Sequence, residues 1–485
     1  MAAFDLVIRG GTIATASDVY KADIGVKDGK IAALGTDLAK GEEEVSAKGK
    51  LVLPGGVDAH CHIEQKSSVG ILNADTFLSG TRSAACGGTT TVIPFAAQHR
   101  GMSLRAVVND ALARAEKQCV IDYGFHMIVS DPTEQVLGQE LPALIRDGIT
   151  SFKIYMTYDL LKLDDREILD IMAVARREGA FVMVHAENHE AIKWLSDRLI
   201  GHGHTAPKFH PVSRPMPVER EATHRAIALS ELVDVPILIV HVSGAEAMEE
   251  IRRAQTRGLR IFGETCTQYL TLAAEDLEKP DLEGARYMCS PPPRERSNQA
   301  LVWNGVQTGV FQVLSSDHAP FKFDKTGKFF HSHKPDFKHI ANGIPGLEVR
   351  MPILFSEGVT KGRIDLQTFV ALTATNPARI YGLAPKKGSI VVGGDADIAI
   401  WDPEKEVTIS QSLLHDAMDA TPYEGFKVKG WPVMTFSRGE SVCADFEFKG
   451  KEGRGRYLPR ELSPMTTPLG RLPTGFDPVT GVYRG

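Results

Sequence analysis

The sequence predicts an α/β protein in which a (β/α)8 TIM-like barrel carries a small β-sandwich domain built from the N- and C-terminal segments. Three observations predict it. Between about residues 51 and 385, strand-like runs apolar on both faces, such as "FVMVHAE" and "VPILIVHVS", alternate with helical patterns such as "LRAVVNDALARAEKQ" and "REILDIMAVARREG". That alternation indicates a parallel sheet covered by helices, and the number of units favours a closed barrel over an open sheet. A second, all-β texture occupies both ends of the chain. Third, several apolar runs end in a histidine or an aspartate, which places polar groups where parallel strands converge.

Each segment follows from its own pattern. Residues 1–50 read as short strands, "FDLVIRGG" and "ADIGVKDGKIAALG", with Asp28-Gly29 as a tight hairpin between alternating runs. The same texture returns in residues 386–450, in "GSIVVGGDADIAIWD" and "WPVMTFSRGESVCADFEF". Two isolated strand pairs bury too little to stand alone, so the two ends are expected to share one sandwich. Residues 51–385 are assigned to the barrel, and the Pro- and Gly-rich residues 451–485 to an extended C-terminal arm.

Composition excludes several classes of function. The chain of 485 residues has a net charge of −6, which gives no basic footprint for nucleic acid. Its apolar runs stop short of the roughly 18 residues that span a bilayer, and the N-terminus lacks a secretory signal pattern, so the expected location is the cytoplasm. Six scattered cysteines with no C-x-x-C pair argue for buried, reduced thiols and against a thiolate metal site.

The chemistry-bearing residues are spread over more than 250 positions. His60 and His62 in "GGVDAHCHIE" are two apart, a spacing that in a strand sends both side chains to one side and Cys61 to the other. His185, His241 and Asp317 each follow a β-rich apolar run, and in a parallel barrel such positions gather around one mouth. Four imidazoles and a carboxylate suit a borderline dication such as zinc. Lys153 in "SFKIYM" lies on an apolar strand where an ammonium is rarely tolerated. Either a carboxylate pairs with it, or neighbouring dications favour its neutral amine, which then reacts with CO2 to give a bridging carbamate.

The order H-x-H, Lys, His, His, Asp, together with "LVLPGGVDAHCH", "AACGGTTTVI", "SSDHAPF" and "GSIVVGGDADIAIWD", resembles the amidohydrolase superfamily, and within it the dihydropyrimidinase and hydantoinase family of cyclic amidases. The resemblance implies two Zn2+ ions or other divalent metals, with His60, His62 and Asp317 around one and His185 and His241 around the other. It also implies that carboxylated Lys153 bridges them. Asp317 then serves as the proton shuttle and Tyr158 as oxyanion stabiliser, while backbone groups of Ser290 and Asn342 hold the cyclic substrate. The implied reaction opens dihydropyrimidines or 5-substituted hydantoins to N-carbamoyl amino acids.

Related enzymes bound this reading. Dihydroorotases follow H-x-H with Leu-Arg, and here Ile63-Glu64 stands instead, with Glu64 expected to repel a substrate carboxylate. An allantoinase-like activity is the alternative, and a non-catalytic scaffold of the same fold is the remaining one. The family also implies a homotetramer, with the Pro-rich arm expected to embrace a neighbour. "GHGH" at 201–204 and "HSHKPDFKH" at 331–339 read as solvated loops, and His318 as a packing or supporting residue.

Overall fold

The computed structural model describes residues 2–67, 70–332 and 335–484. Its central sheet runs through eight strands: Gly56–Cys61, Thr89–Ala97, His126–Ile128, Ser151–Tyr155, Phe181–His185, Ile237–Ile239, Ile261–Cys266 and Val313–Ser315. Neighbours along this path are parallel, and Asp122–Tyr123 adds a short ninth strand beside the second. The path closes on itself. Cys61 bridges His318 in parallel, the His62 amide donates to the His318 carbonyl at 2.7 Å, and Asp58 Oδ1 accepts from the amides of both His60 and Ser316.

The helices follow their capping and periodicity signals. In Asp165–Glu178 the Asp164 and Glu167 side chains form a capping box, and Gly179, at φ +74°, ends the helix in the left-handed conformation a side chain resists. Its buried stripe, Ile168, Ile171, Met172 and Ala175, packs against the barrel wall. Leu104–Gln118, capped by Ser103, repeats the arrangement with Leu104, Val108, Ala111 and Ala115.

A second nine-stranded sheet joins the two ends of the chain, as the strand texture predicts. Asp28 and Gly29, at φ +50° and +74°, make the tight turn between Val19–Lys27 and Lys30–Gly35. Leu51–Pro54, expected to open the barrel, instead pairs with Phe4–Ala14 and with Ile398–Thr408. The barrel sheet therefore begins at Gly56, and the reason is register: the apolar run 51–53 is needed between two sandwich strands. A buried charge cluster joins the two bodies. The Lys387 ammonium meets Asp122 at 2.7 Å, Asp397 at 2.7 Å and Asp395 at 3.0 Å, and Arg438 adds a contact to Asp122. All six cysteines are free and buried.

Residues 451–485 hold little regular structure, and their described polar contacts run along the barrel and, through Arg454, the terminal sheet. The Leu458 and Arg460 amides donate to the carbonyls of Tyr123 and Gly148, and Asp234 accepts the amides of Leu469, Gly470 and Arg471. Arg460, 3% exposed, inserts at the N-terminal ends of the strands, donating to Ser151 Oγ at 2.7 Å and to the Phe125 carbonyl. Ser151 Oγ in turn meets His126 Nδ1 at 2.6 Å, so a polar chain plugs the barrel floor. Arg460→Ala is expected to destabilise the fold by about 3 kcal/mol, because it strands buried acceptors and leaves a void. Chemical denaturation of the two proteins measures this, and an unchanged midpoint would show that the arm does not seal the floor.

Candidate metal centre

At the opposite end of the barrel the strand termini carry the polar residues singled out in the sequence. His60 lies in the first strand, His62 immediately beyond it, Lys153 in the middle of Ser151–Tyr155, and His185 at the last position of Phe181–His185. His241 and Asp317 each fall two residues past a strand end, at φ +38° and +46°, and Tyr158 sits at φ +72°. Non-glycine residues rarely adopt this region, which costs about 1–3 kcal/mol each. Three such residues at one mouth mark a place where local stability yields to side-chain placement.

The structure brings the six residues together. His60, His62 and Asp317 offer ligand atoms that all lie within 4.8 Å of one another, a group that can hold a metal ion. Asp317 Oδ1 is 3.2 Å from His60 Nε2 and 3.3 Å from His62 Nε2. Ring centroids of His60 and His241 are 5.3 Å apart, and those of His241 and His185 4.4 Å. Lys153 Nζ lies 2.7 Å from His60 Nε2 and 4.7 and 4.9 Å from the ring centroids of Phe95 and Tyr155. Among the described residues no carboxylate forms an ion pair with it.

Electrostatics follow from burial. Loss of hydration holds the imidazoles of His60 and His241 well below the usual histidine range, with the Lys153 charge adding to the effect at His60 and the neighbouring His185 at His241. Burial also lowers the Lys153 ammonium to about 8. Burial would raise the Asp317 carboxyl, yet the facing imidazoles of His60, His62 and His241 keep it ionised far below the ordinary value. Neutral imidazoles beside a carboxylate are the protonation states that metal ligation requires.

The donor set passes a further test. Three of the four rings have their second nitrogen held: His60 Nδ1 meets Glu264 at 2.6 Å, His62 Nδ1 meets Gln65 at 2.7 Å, and His185 Nε2 meets Glu187 at 2.7 Å. These contacts fix the tautomer and aim the other nitrogen at the mouth. Among the described residues His241 Nδ1 is buried without a hydrogen-bond partner, a costly state that ligation of a cation through it would relieve. The residues fit a metal centre.

Sequence reading missed the supporting groups. Glu264 lies in Ile261–Cys266, where a lone carboxylate inside an apolar run was the available signal; it also accepts the His241 amide and the Ser315 hydroxyl. Arg214 donates to Glu187 at 2.6 Å and stands 5.5 Å from the Tyr158 ring centroid. Glu64 needs correction: its carboxylate turns away from the mouth and is held by Arg114, the Phe77 amide and Gln118, so it repels no substrate.

Tyr158 stands beside His185 and lines one cavity with Asn342, while Ser290 Oγ lies 3.4 Å from His210 Nε2. The Tyr158 ring centroid is 5.2 Å from that of His185, and burial raises its hydroxyl to about 12. Asn342 Oδ1 is buried without a partner. A cavity of about 880 Å³ opens here, lined among others by Lys66, Tyr158, Arg214, Phe321 and Asn342. His331 and His339 line the same cavity, so "HSHKPDFKH" borders the mouth, whereas "GHGH" is exposed as expected; Ser68, Val69, His333 and Lys334 lie outside the described residues. His318 bonds Asp75 at 2.8 Å and accepts the Gly346 amide, the supporting role expected of it. Glu264→Gln is expected to weaken metal binding by about 10–100-fold through the His60 orientation. Competition against a chelator reads this directly, and unchanged affinity would deny Glu264 that role.

Comparison with known proteins agrees with this geometry. Residues 51–442 match the model of the amidohydrolase family. A D-hydantoinase from Ralstonia pickettii is 46% identical over 94% of this chain and 99% of its own length. A D-phenylhydantoinase from Escherichia coli O1:K1 is 38% identical over 96% of this chain and 99% of its own. The crystal structure of dihydropyrimidinase from Brevibacillus agri NCHU1002 superposes with a TM-score of 0.91 at 42% identity, covering 94% of this chain and 99% of that one. With matches of that extent, this chain belongs to the amidohydrolase family.

Proposed function

We propose that the protein hydrolyses cyclic amides, opening a dihydropyrimidine or 5-substituted hydantoin ring to an N-carbamoyl amino acid. The observation that carries the reading is the convergence of four imidazoles, Asp317 and Lys153 at one barrel mouth beside Tyr158. His60, His62 and Asp317 would hold one dication and His185 and His241 a second, zinc being the metal the donor set favours. Bound dications lower the pKa of water toward neutrality and polarise a carbonyl oxygen.

The chain's own groups supply the remainder. Asp317 takes a proton from the attacking water and delivers it to the ring nitrogen as the C–N bond breaks, since an amide nitrogen does not leave as a bare anion. Tyr158 keeps its proton at neutral pH and donates toward the oxygen on which charge develops, a contact typically worth about 3–4 kcal/mol. Backbone groups of Ser290 and Asn342 orient the ring, and its substituent faces the cavity wall that includes Lys66 and Arg214. Burial of Lys153 between two aromatic rings, without a carboxylate, supports its reaction with CO2, in which the amine nitrogen bonds carbon and releases a proton. Assembly as a homotetramer and residence in the cytoplasm complete the reading; the first rests on the family.

Asp317→Asn is expected to abolish dihydrouracil and hydantoin turnover with the fold retained, and Tyr158→Phe to lower kcat more than it raises KM. Steady-state kinetics on both variants, each checked for metal content, test this; a metal-loaded Asp317→Asn enzyme with normal turnover would end the proposal. Intact-mass measurement without acid is expected to show one CO2 added per chain, absent in Lys153→Ala. An unmodified wild-type mass would overturn the carbamate.

A further inference from the structure

Lys328 lies in a loop, yet its environment is unlike that of a loop lysine. It is 2% exposed, and among the described residues it forms no ion pair with a carboxylate. Its Nζ donates to three main-chain carbonyls, Met288 at 3.4 Å, Ala341 at 3.1 Å and Gly343 at 2.9 Å. Burial lowers the ammonium to about 7, a cost that no counterion offsets.

The three carbonyls belong to two segments far apart in sequence. Met288 lies two residues before Ser290, and Ala341 and Gly343 flank Asn342. The segments also touch through the Gly343 amide, which donates to Met288 O at 3.0 Å, while the Ala341 amide returns to the Lys328 carbonyl at 3.2 Å. Gly343, at φ +145°, leaves no room for correction by sliding, because a Cβ there would sit 2.5 Å from the Ala319 carbonyl. Neither segment has regular secondary structure at these positions. Their spacing therefore rests on these few hydrogen bonds together with the packing of Met288 against Ile340 and Phe337.

We infer that Lys328 is a positioning residue for substrate, a hydrogen-bonding clip that holds the 288–290 and 341–343 segments at the separation at which the backbone of Ser290 and Asn342 grips the cyclic amide. It touches neither substrate nor metal ligands. The inference rests on the proposed substrate contacts of Ser290 and Asn342, and the test separates the two. A hydrophobic core of Met288, Phe337 and Ile340 surrounds the clip, so an apolar replacement has a packed environment to enter.

In the full-length, metal-loaded enzyme, Lys328→Met removes every donor, and Lys328→Gln keeps two on a shorter stem. Hydrogen exchange at the Gly343 amide reads the clip, and KM against kcat for dihydrouracil reads its purpose. Lys328→Met is expected to speed that exchange about tenfold or more and to raise KM about tenfold, with kcat changed less than about threefold and metal content unaltered. Lys328→Gln is expected to fall between wild type and Lys328→Met on both readouts, and it carries the test should the Met variant fail to fold. Unchanged exchange would overturn the clip itself. Faster exchange with unchanged KM, or a loss confined to kcat, would leave Lys328 a structural fastener and remove Ser290 and Asn342 as the grip on substrate.

Discussion

Closure of the barrel between its first and last strands is the constraint on which the site depends. His60 and His62 come from one edge of the parallel sheet and Asp317 from the other, so an open sheet of the same strands would separate them by its full width. The seam is short: one parallel bridge, the His62 amide on the His318 carbonyl, the Ser316 hydroxyl on the His60 carbonyl, and Asp58 accepting from both strands. Each bond lies within two residues of a proposed ligand. The contacts that close the fold thus set the distances among the ligands.

Placing so many ionisable groups in a dry mouth works against stability. Loss of hydration disfavours charge on Lys153 and the imidazoles, and the backbone at His241, Asp317 and Tyr158 is held in a region that side chains avoid. Such an arrangement persists when the surrounding structure over-determines it. Glu264 does much of this, tying the His60 ring, the His241 amide and the Ser315 hydroxyl to one carboxylate. A bound cation would remove the remaining conflict by replacing repulsion among buried groups with ligation.

The two ends of the barrel divide their duties. The floor is filled by Arg460, Ser151 and His126, with the arm laid across it, and the Lys387 cluster ties the terminal sheet alongside. These interactions lie away from the mouth, and they suit a stabilising role. The mouth is roofed by irregular segments whose spacing rests on single side chains, Lys328 among them. Rigidity below and adjustable loops above allow one scaffold to present different walls to different ring substituents.

Much of this was legible in the sequence because it follows from periodicity. The doubly apolar runs, the Asp28-Gly29 turn and the position of each histidine or aspartate after a run fix the barrel, the hairpin and the end at which the ligands meet, since strand direction alone sends those positions to one face. Other features depend on partners distant in the chain, which no local pattern specifies. Leu51–Pro54 reads like a barrel strand, and only its pairing with Ile398–Thr408 makes it part of the terminal sheet. Glu64 carries a charge that the sequence displays, whereas its direction was decided by Arg114 and the Phe77 amide. Lys328 is one of several lysines in a basic stretch, and packing alone made it a buried clip. Sequence sets which residues are polar and which face of an element they occupy; tertiary structure decides which of them are stripped of water and against what, and it is that loss of hydration that turns a side chain into chemistry.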